Sequence, residues 1–324
     1  MKSIRLAGVL IGTAVAAASV ASHAQDWPQA AIHVVVPFDA GSTPDLVARI
    51  ISERLAARLP QPVVIDNKSG AAGNLGTDAV AKAAPNGQTI GVSIAGPLAV
   101  NPLLFKKMPY DAARDLDLIT VAVSQPSVLV FGSKRNPGTS KDLIALLKSG
   151  KTQATFGSIG AGSISHLAME TLAARAGGDF VHVPYRGSGA AVTALISGDI
   201  DMALLPAAAV MPFVKDGKLR AVAVASAKRS PSLPDLPTLS EAGLADVQAD
   251  AWVGFIAPAK TPPAVVSKLH ELIVQILAEP AIKEKLRDRY MDPVGNSPAE
   301  FRALLAADVA RWKPIIAKNR IALD

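Results

Sequence analysis

The sequence predicts an α/β protein of about two domains built on mostly parallel sheets, and three features carry that expectation. Short β-branched runs alternate with segments of helical periodicity along the chain. Its strand-like runs are continuously apolar and not alternating, as in sheets covered on both faces. Its 324 residues exceed the usual size of one domain.

Ile32-His33-Val34-Val35-Val36-Pro37-Phe38 reads as the first strand. Residues 44–59 then place Leu46, Val47, Ile50, Ile51, Leu55 and Leu59 at helical spacing. Ser42 or Thr43 can cap this helix, Pro44 suits its first position, and Asp45 lies in its first turn. A strand at 62–66, a glycine-rich turn, a helix at 77–84 and a strand at 89–94 follow. Further strands are expected at 118–123, 128–131, 154–156, 180–183, 201–205, 220–225 and 253–257. Helices are expected at 140–148, 163–176, 189–197 and 207–215, with a helical tail from Pro263 punctuated by Pro280, Pro293 and Pro298. Strands separated by helices throughout argue for α/β architecture. The chain is expected to cross between domains at Ser124-Gln125-Pro126-Ser127 and again within 243–252.

Composition narrows the function. With no cysteine, the chain holds no disulfide, thiolate metal site or cysteine nucleophile. A balance of 33 Lys+Arg against 27 Asp+Glu is too modest to indicate nucleic acid. Residues 1–24 carry Lys2 and Arg5, an apolar run at 6–20, then Ser22 and Ala24 at the spacing of a cleavage site. They read as a secretory signal peptide cleaved near Ala24, which places the remainder in the periplasm. Later apolar stretches are all interrupted by Gly, Pro or charge, so no further membrane span is expected.

Four turns between strand and helix are rich in Gly and hydroxyl residues: Phe38-Asp39-Ala40-Gly41-Ser42, Ser69 to Asn74, Gly157 to Ser163, and Pro184-Tyr185-Arg186-Gly187-Ser188-Gly189. Helix N-termini at such turns offer unpaired N–H groups and partial positive charge, so converging turns would make an anion site. Arg186 is the cation placed to fork onto a carboxylate. Ser158, Ser163 and His166 lie close in sequence but lack the Gly-x-Ser-x-Gly elbow, and Ser163 reads as the N-cap of a helix with His166 in its first turn. His182, on a strand, reads as structural, and the histidine spacings do not suggest metal. Gly70-x-x-Gly73-x-x-Gly76 has the wrong spacing for a dinucleotide fingerprint. A secreted hydrolase or dehydrogenase is the alternative in the enzyme class.

Several ordered motifs carry a likeness: Val35 through Gly41, Asn67 through Gly76, Pro85-Asn86-Gly87, Pro109-Tyr110-Asp111, Gly157 through His166, His182 through Gly187, Gly217 through Ala221, and Trp252-Val253-Gly254. Together they resemble the Bug (Bordetella uptake gene) family of periplasmic substrate-binding proteins, which includes the binding component of tripartite tricarboxylate transporters. The resemblance spans essentially the whole chain after the signal peptide. It implies a two-lobed Venus flytrap of type II, with lobe 1 at 25–124 plus 249–324 and lobe 2 at 125–248. It also implies a non-enzymatic, monomeric protein without cofactor that closes on a small organic carboxylate and delivers it to the permease subunits of a tripartite transporter. Service to a sensor kinase is the other role such a fold could have.

In the family, backbone groups of the turn matching Phe38 to Ser42 and of the helix start matching Ser158 to Ser163 hold the ligand carboxylate. The candidate ligand-binding set is therefore Phe38, Ala40, Gly41, Ser42, Asp45, Ser93, Ala95, Ser158, Gly162, Ser163, His166, Tyr185 and Arg186. Gly41-Ser42 stands where the family commonly has Gly-Gly, which adds a hydroxyl to the pocket wall. If Leu205 stands where the family often has an aspartate, the pocket lacks an acid that receives an amine, which favours an apolar-bodied carboxylate over an amino acid.

Overall fold

The structure is a computed structural model describing residues 27–133, 139–149, 153–244 and 247–323; the expected signal peptide lies outside the described residues. The first part of the chain runs β1 (Ile32–Val36), α1 (Thr43–Ala56), β2 (Val63–Asn67), α2 (Asn74–Ala81), β3 (Thr89–Ile94), α3 (Asn101–Leu104), α4 (Ala112–Asp115) and β4 (Leu116–Gln125). The middle runs β5 (Ser127–Gly132), α5 (Ser140–Lys148), β6 (Gln153–Ser158), α6 (Ile164–Ala176), β7 (Asp179–Pro184), α7 (Ser188–Ser197), β8 (Met202–Pro206), α8 (Ala207–Lys215) and β9 (Leu219–Val224). The chain then returns through β10 (Ala251–Pro258), α9 (Pro263–Ala278), α10 (Pro280–Arg287), β11 (Asp292–Pro293) and α11 (Pro298–Lys318).

Among the described residues these strands form two sheets, one of six strands in the order β11-β4-β10-β3-β1-β2 and one of five in the order β7-β6-β8-β5-β9. Both sheets are mixed, with most of their strands running one way, β1–β4 in the first and β6–β9 in the second. β1 pairs parallel with β2 and β3, but β10 is antiparallel to β3 and β4. In the second sheet β6 pairs parallel with β7 and β8, while β5 is antiparallel to β8 and β9. The reason is topological. β4 passes through Pro126 straight into β5, so β4 ends at the junction between the sheets and β5 starts there. The strand arriving in each half, β5 in one and β10 in the other, runs away from the junction, against its neighbours. The carboxyl ends of β1–β4 and of β6–β9 consequently face each other across it.

Apolar clusters cover both faces of each sheet. Ile32, Val34 and Val36 of β1 pack under α1 and α9 with Ile51, Leu55, Leu269 and Ile273, while Val35 faces the opposite cluster with Val80, Ile256 and Phe301. Burial of each such side chain is worth about 1.5–3 kcal/mol. β8 behaves alike: Met202 and Leu204 point into one cluster, Ala203 and Leu205 into another. Leu205 is fully buried beside Val128 and Val210, which removes it from any pocket wall and with it the specificity argument built on that position.

α11 belongs to both halves. Its first turns seat Phe301 and Leu305 beside Trp252 in the first half, whereas Trp312 and Ile316 enter the cluster of Phe131, Phe156 and Leu167. Asp308 accepts from Trp252 Nε1 at 2.9 Å and from Arg311 at 2.9 Å, and Arg311 reaches on to Gln248 at 3.1 Å. Behind the crossings lies a cavity of about 270 Å³, lined by Ser124, Pro126, Lys228, Arg229, Asp250 and Asp292.

Candidate functional site

Four of the helices that start at the junction have no side-chain cap, α6 with its Ser163 cap being the exception. α1, α2, α7 and α8 each begin without a side-chain cap, on Ser42, Gly73, Gly187 and Pro206. At the far ends of the two halves, by contrast, α5 closes with a Thr139/Asp142 capping box and α11 with a Ser297/Glu300 box. α9, also distal, starts on Pro262-Pro263 and has few N–H groups to cap. Unpaired amides and the positive ends of helix dipoles are therefore concentrated where the halves meet.

The first turn is shaped from below. Asp45 is 1% exposed and fully engaged: it accepts from the Gly41 N–H at 2.8 Å, Arg49 Nε at 2.9 Å and Asn67 Nδ2 at 3.0 Å. Burial raises its carboxyl, but bonds from Arg49, Gly41 and Asn67 outweigh this and hold it below the usual carboxylate range. Asn67 also donates to the Phe38 carbonyl at 3.0 Å. Asp45 thus braces the turn and does not itself face the junction, and Asn67 was missed because it joins the turn from another strand. Gly41 has φ +83°, a left-handed conformation suited to glycine. Ala40 is exposed. The Ser42 hydroxyl is shut off from solvent yet has no hydrogen-bond partner, although it sits at the N-cap of α1.

Phe38 rests on the next turn, where a Cβ at Gly73 would stand 2.7 Å from both Phe38 Cζ and Pro97 Cγ. Left-handed Ala71 and Ala72 precede that glycine. Asn101 holds them by donating to the Ala72 carbonyl at 3.1 Å and to Asn74 Oδ1 at 2.7 Å, and Tyr110 donates to Asn74 Oδ1 at 3.0 Å. Ser93 and Ala95 are buried, Ser93 against Thr77 at 3.3 Å, so their side chains pack the floor and do not line an opening.

In the second half, the Gly157–Ser163 turn is knitted by its own side chains. Ser163 caps α6 by accepting from the His166 N–H, as the sequence implies, and its hydroxyl donates to the Gly160 carbonyl at 2.6 Å. Gly162 N–H donates to His166 Nδ1 at 3.1 Å, and Ile159 N–H to Ser165 Oγ at 3.0 Å. Ser158 Oγ, wholly buried, lies 2.7 Å from His182 Nε2. His166 and His182 stack with centroids 3.7 Å apart. Tyr185 donates its N–H to the Ser158 carbonyl at 3.0 Å and is half-buried; burial, with Asp199 nearby, raises its hydroxyl. Arg186 is exposed at the start of α7.

The two turns flank one segment. Phe38 packs on Pro97, and Ile164, the first residue of α6, packs against the cluster containing Ala95, Leu98 and Ala99. Leu104 from the first half meets Gly162. Ser158, Gly162, Ser163 and His166 therefore build the second turn, while Phe38, Ala40, Gly41, the backbone at Ser42, Tyr185 and Arg186 remain the groups from which contacts can be made.

Residues 47–321 match the family described as the tripartite tricarboxylate transporter family receptor. The chain is similar to BugT of Bordetella pertussis, 34% identical over 310 residues that cover 95% of this chain and 94% of the relative. Among solved structures it resembles R. palustris Rpa4515 with adipate, at TM-score 0.80 and 32% identity over 92% of this chain and 99% of that one. It also resembles MatC of Rhodopseudomonas palustris with bound malate, at TM-score 0.74 and 30% identity over 90% and 100%.

Proposed function

Since this chain belongs to the tripartite tricarboxylate transporter receptor family, we propose that it is a periplasmic solute-binding protein that captures a small carboxylate and passes it to the membrane subunits of a tripartite transporter. The observation that carries this reading is the contrast in capping: of the helices that start at the junction, α1, α2, α7 and α8 have no side-chain cap and α6 alone is capped, by Ser163, while α5 and α11 are boxed at the far ends. A carboxylate accepting two or three such bonds gains about 1.5–3 kcal/mol from each before ordering costs. In this reading lobe 1 comprises 25–124 plus 249–324 and lobe 2 comprises 125–248. A solute that touches both stabilises the closed arrangement by its differential affinity for it.

Dicarboxylates with an apolar body are the ligand class we favour. The groups left to touch a solute include the rings of Phe38 and Tyr185, and relatives of this fold carry adipate and malate. Hydrolysis is disfavoured because Ser158, the hydroxyl beside His182, is sealed from solvent.

Thermal-shift and calorimetric screening of the protein against adipate, malate, aromatic carboxylates, glutamate and aspartate tests the proposal. A true ligand at 100 times its Kd should add about 2.7 kcal/mol of stability. A flat response to every carboxylate would refute it. Ser42→Ala is expected to leave unfolding within about 0.5 kcal/mol of the parent, because the hydroxyl bonds to nothing in the free protein. The same change should weaken the best ligand about tenfold if that hydroxyl donates to it. Unchanged affinity would remove Ser42 from the site.

A further inference from the structure

The His166–His182 stack lies directly beneath the second turn. The two rings are almost coplanar in orientation, 12° apart, and His182 stacks in turn on Phe156 at 4.9 Å. Each ring holds one backbone or hydroxyl group of the Gly157–Ser163 turn. His166 Nδ1 receives the Gly162 N–H, so that nitrogen carries no proton and the ring proton sits on Nε2, 3.5 Å from Glu170 Oε1. The Ser158 hydroxyl donates to the Gly160 carbonyl at 3.0 Å, accepts the Gly160 N–H at 3.2 Å, and so accepts from His182 Nε2 at 2.7 Å. The turn that presents the start of α6 therefore rests on two uncharged imidazoles.

We propose that His166 and His182 are positioning residues for the carboxylate-binding turn, and that proton uptake by the stack unseats Gly162 so that the protein releases its ligand in acid. This rests on the solute-binding reading above. A proton on His166 Nδ1 turns the acceptor into a donor facing the Gly162 N–H, and that bond is lost. A proton on His182 puts charge against the face of its partner and the Phe156 ring, away from water. Burial and the neighbouring His166 already hold the His182 imidazole down to about 4, with Glu170 pulling the other way.

The charged surroundings of the stack are few. α6 contributes Glu170 and, a turn further on, Arg175; α11 contributes Arg311 and Lys318 across the groove that Glu170 lines. From β6 come uncharged Phe156 and Ser158, and from α3 the Leu104 side chain against Gly162.

The test compares adipate and malate affinities at pH 7.5 and 4.0 for the parent and for His166→Asn and His182→Gln, whose amides keep an acceptor that acid does not charge. Ligand protonation is common to all three proteins and cancels in the ratio. The parent should lose at least tenfold more affinity on acidification than either variant, each measured against its own affinity at pH 7.5. Equal pH dependence in parent and variants would overturn the proposal. If a variant does not fold, histidine ring and amide resonances of the parent decide: the Gly162 amide must move with the His166 titration, and an amide indifferent to it would overturn the proposal. This second arm needs no ligand, so absence of carboxylate binding at pH 7.5 would count against the solute-binding reading alone.

Discussion

The Asp45→Ala protein is expected to unfold about 3 kcal/mol more easily than its parent at pH 7 and to bind its carboxylate at least 100-fold more weakly. The side chain is sealed and takes three hydrogen bonds, from the Gly41 N–H, Arg49 and Asn67. Truncation leaves each donor without its acceptor and frees the turn that carries Gly41 and Ser42. Because the folded carboxyl titrates below its unfolded value, the stability it supplies is present above pH 3.8 and is lost as acid protonates the folded state. Asp45→Asn, which keeps one oxygen for Asn67 but gives up the charge, should fall between parent and alanine variant. Urea melts at pH 7 with parallel calorimetry measure both quantities. An alanine variant melting within 0.5 kcal/mol of the parent would mean that the turn supports itself without this brace.

Asp250→Asn should do the opposite and stabilise the protein, by about 2 kcal/mol at pH 8. Asp250 stands just before β10, beside the cavity behind the crossings, and its Oδ1 is buried without a hydrogen-bond partner. Burial pushes its carboxyl up to about 7; Arg311 works against this, while Asp308 and Asp292 add to it. The folded state thus holds a proton that the unfolded chain releases from pH 3.8 upward. Stability drains away as the pH climbs towards 7, at up to about 1.4 kcal/mol per pH unit, and the loss is complete above that. Lys228 and Arg229 line the same cavity, which lowers the realistic total to about 2 kcal/mol. Asparagine never ionises, so the gain should be near zero at pH 4 and full at pH 8. Denaturant melts at those two values decide it, and equal stability of parent and variant at pH 8 would contradict the assignment.

Local pattern was enough to read most of the elements, for identifiable reasons. β1 is continuously apolar because both faces of its sheet are covered, and Pro44 and Ser163 mark the starts of α1 and α6 through backbone preferences acting within one turn. Strand direction was not legible, since β5 and β10 run against their neighbours owing to connections made far along the chain. β11 was missed because two residues pairing with Ser124 and Val123 carry no periodicity. The helical tail proved to be three helices with that short strand among them, and α2 begins at Asn74, three residues before its apolar pattern suggests, on left-handed Gly73.

At the site, the turns could be named but not their supports. Asp45 could be seen at a helix start, yet its partners Gly41 and Asn67 lie four and twenty-two residues away. The His166–His182 contact joins a helix to an edge strand, and only tertiary packing reveals it. Leu205 could not be assigned to a face from sequence, because in an apolar run such as Met202-Ala203-Leu204-Leu205 both faces are core.

In the proposed reading, the shared seating of α11 limits how far the two halves can part. A rod with Phe301 in one core and Trp312 in the other works as a splint, bending little and resisting any twist that would lift the indole from its socket. Pro314, near the end of the rod, is its weakest joint. On that reading the tail would set the gape from the rear of the molecule, and the residues that grip a solute would choose only when the jaws shut.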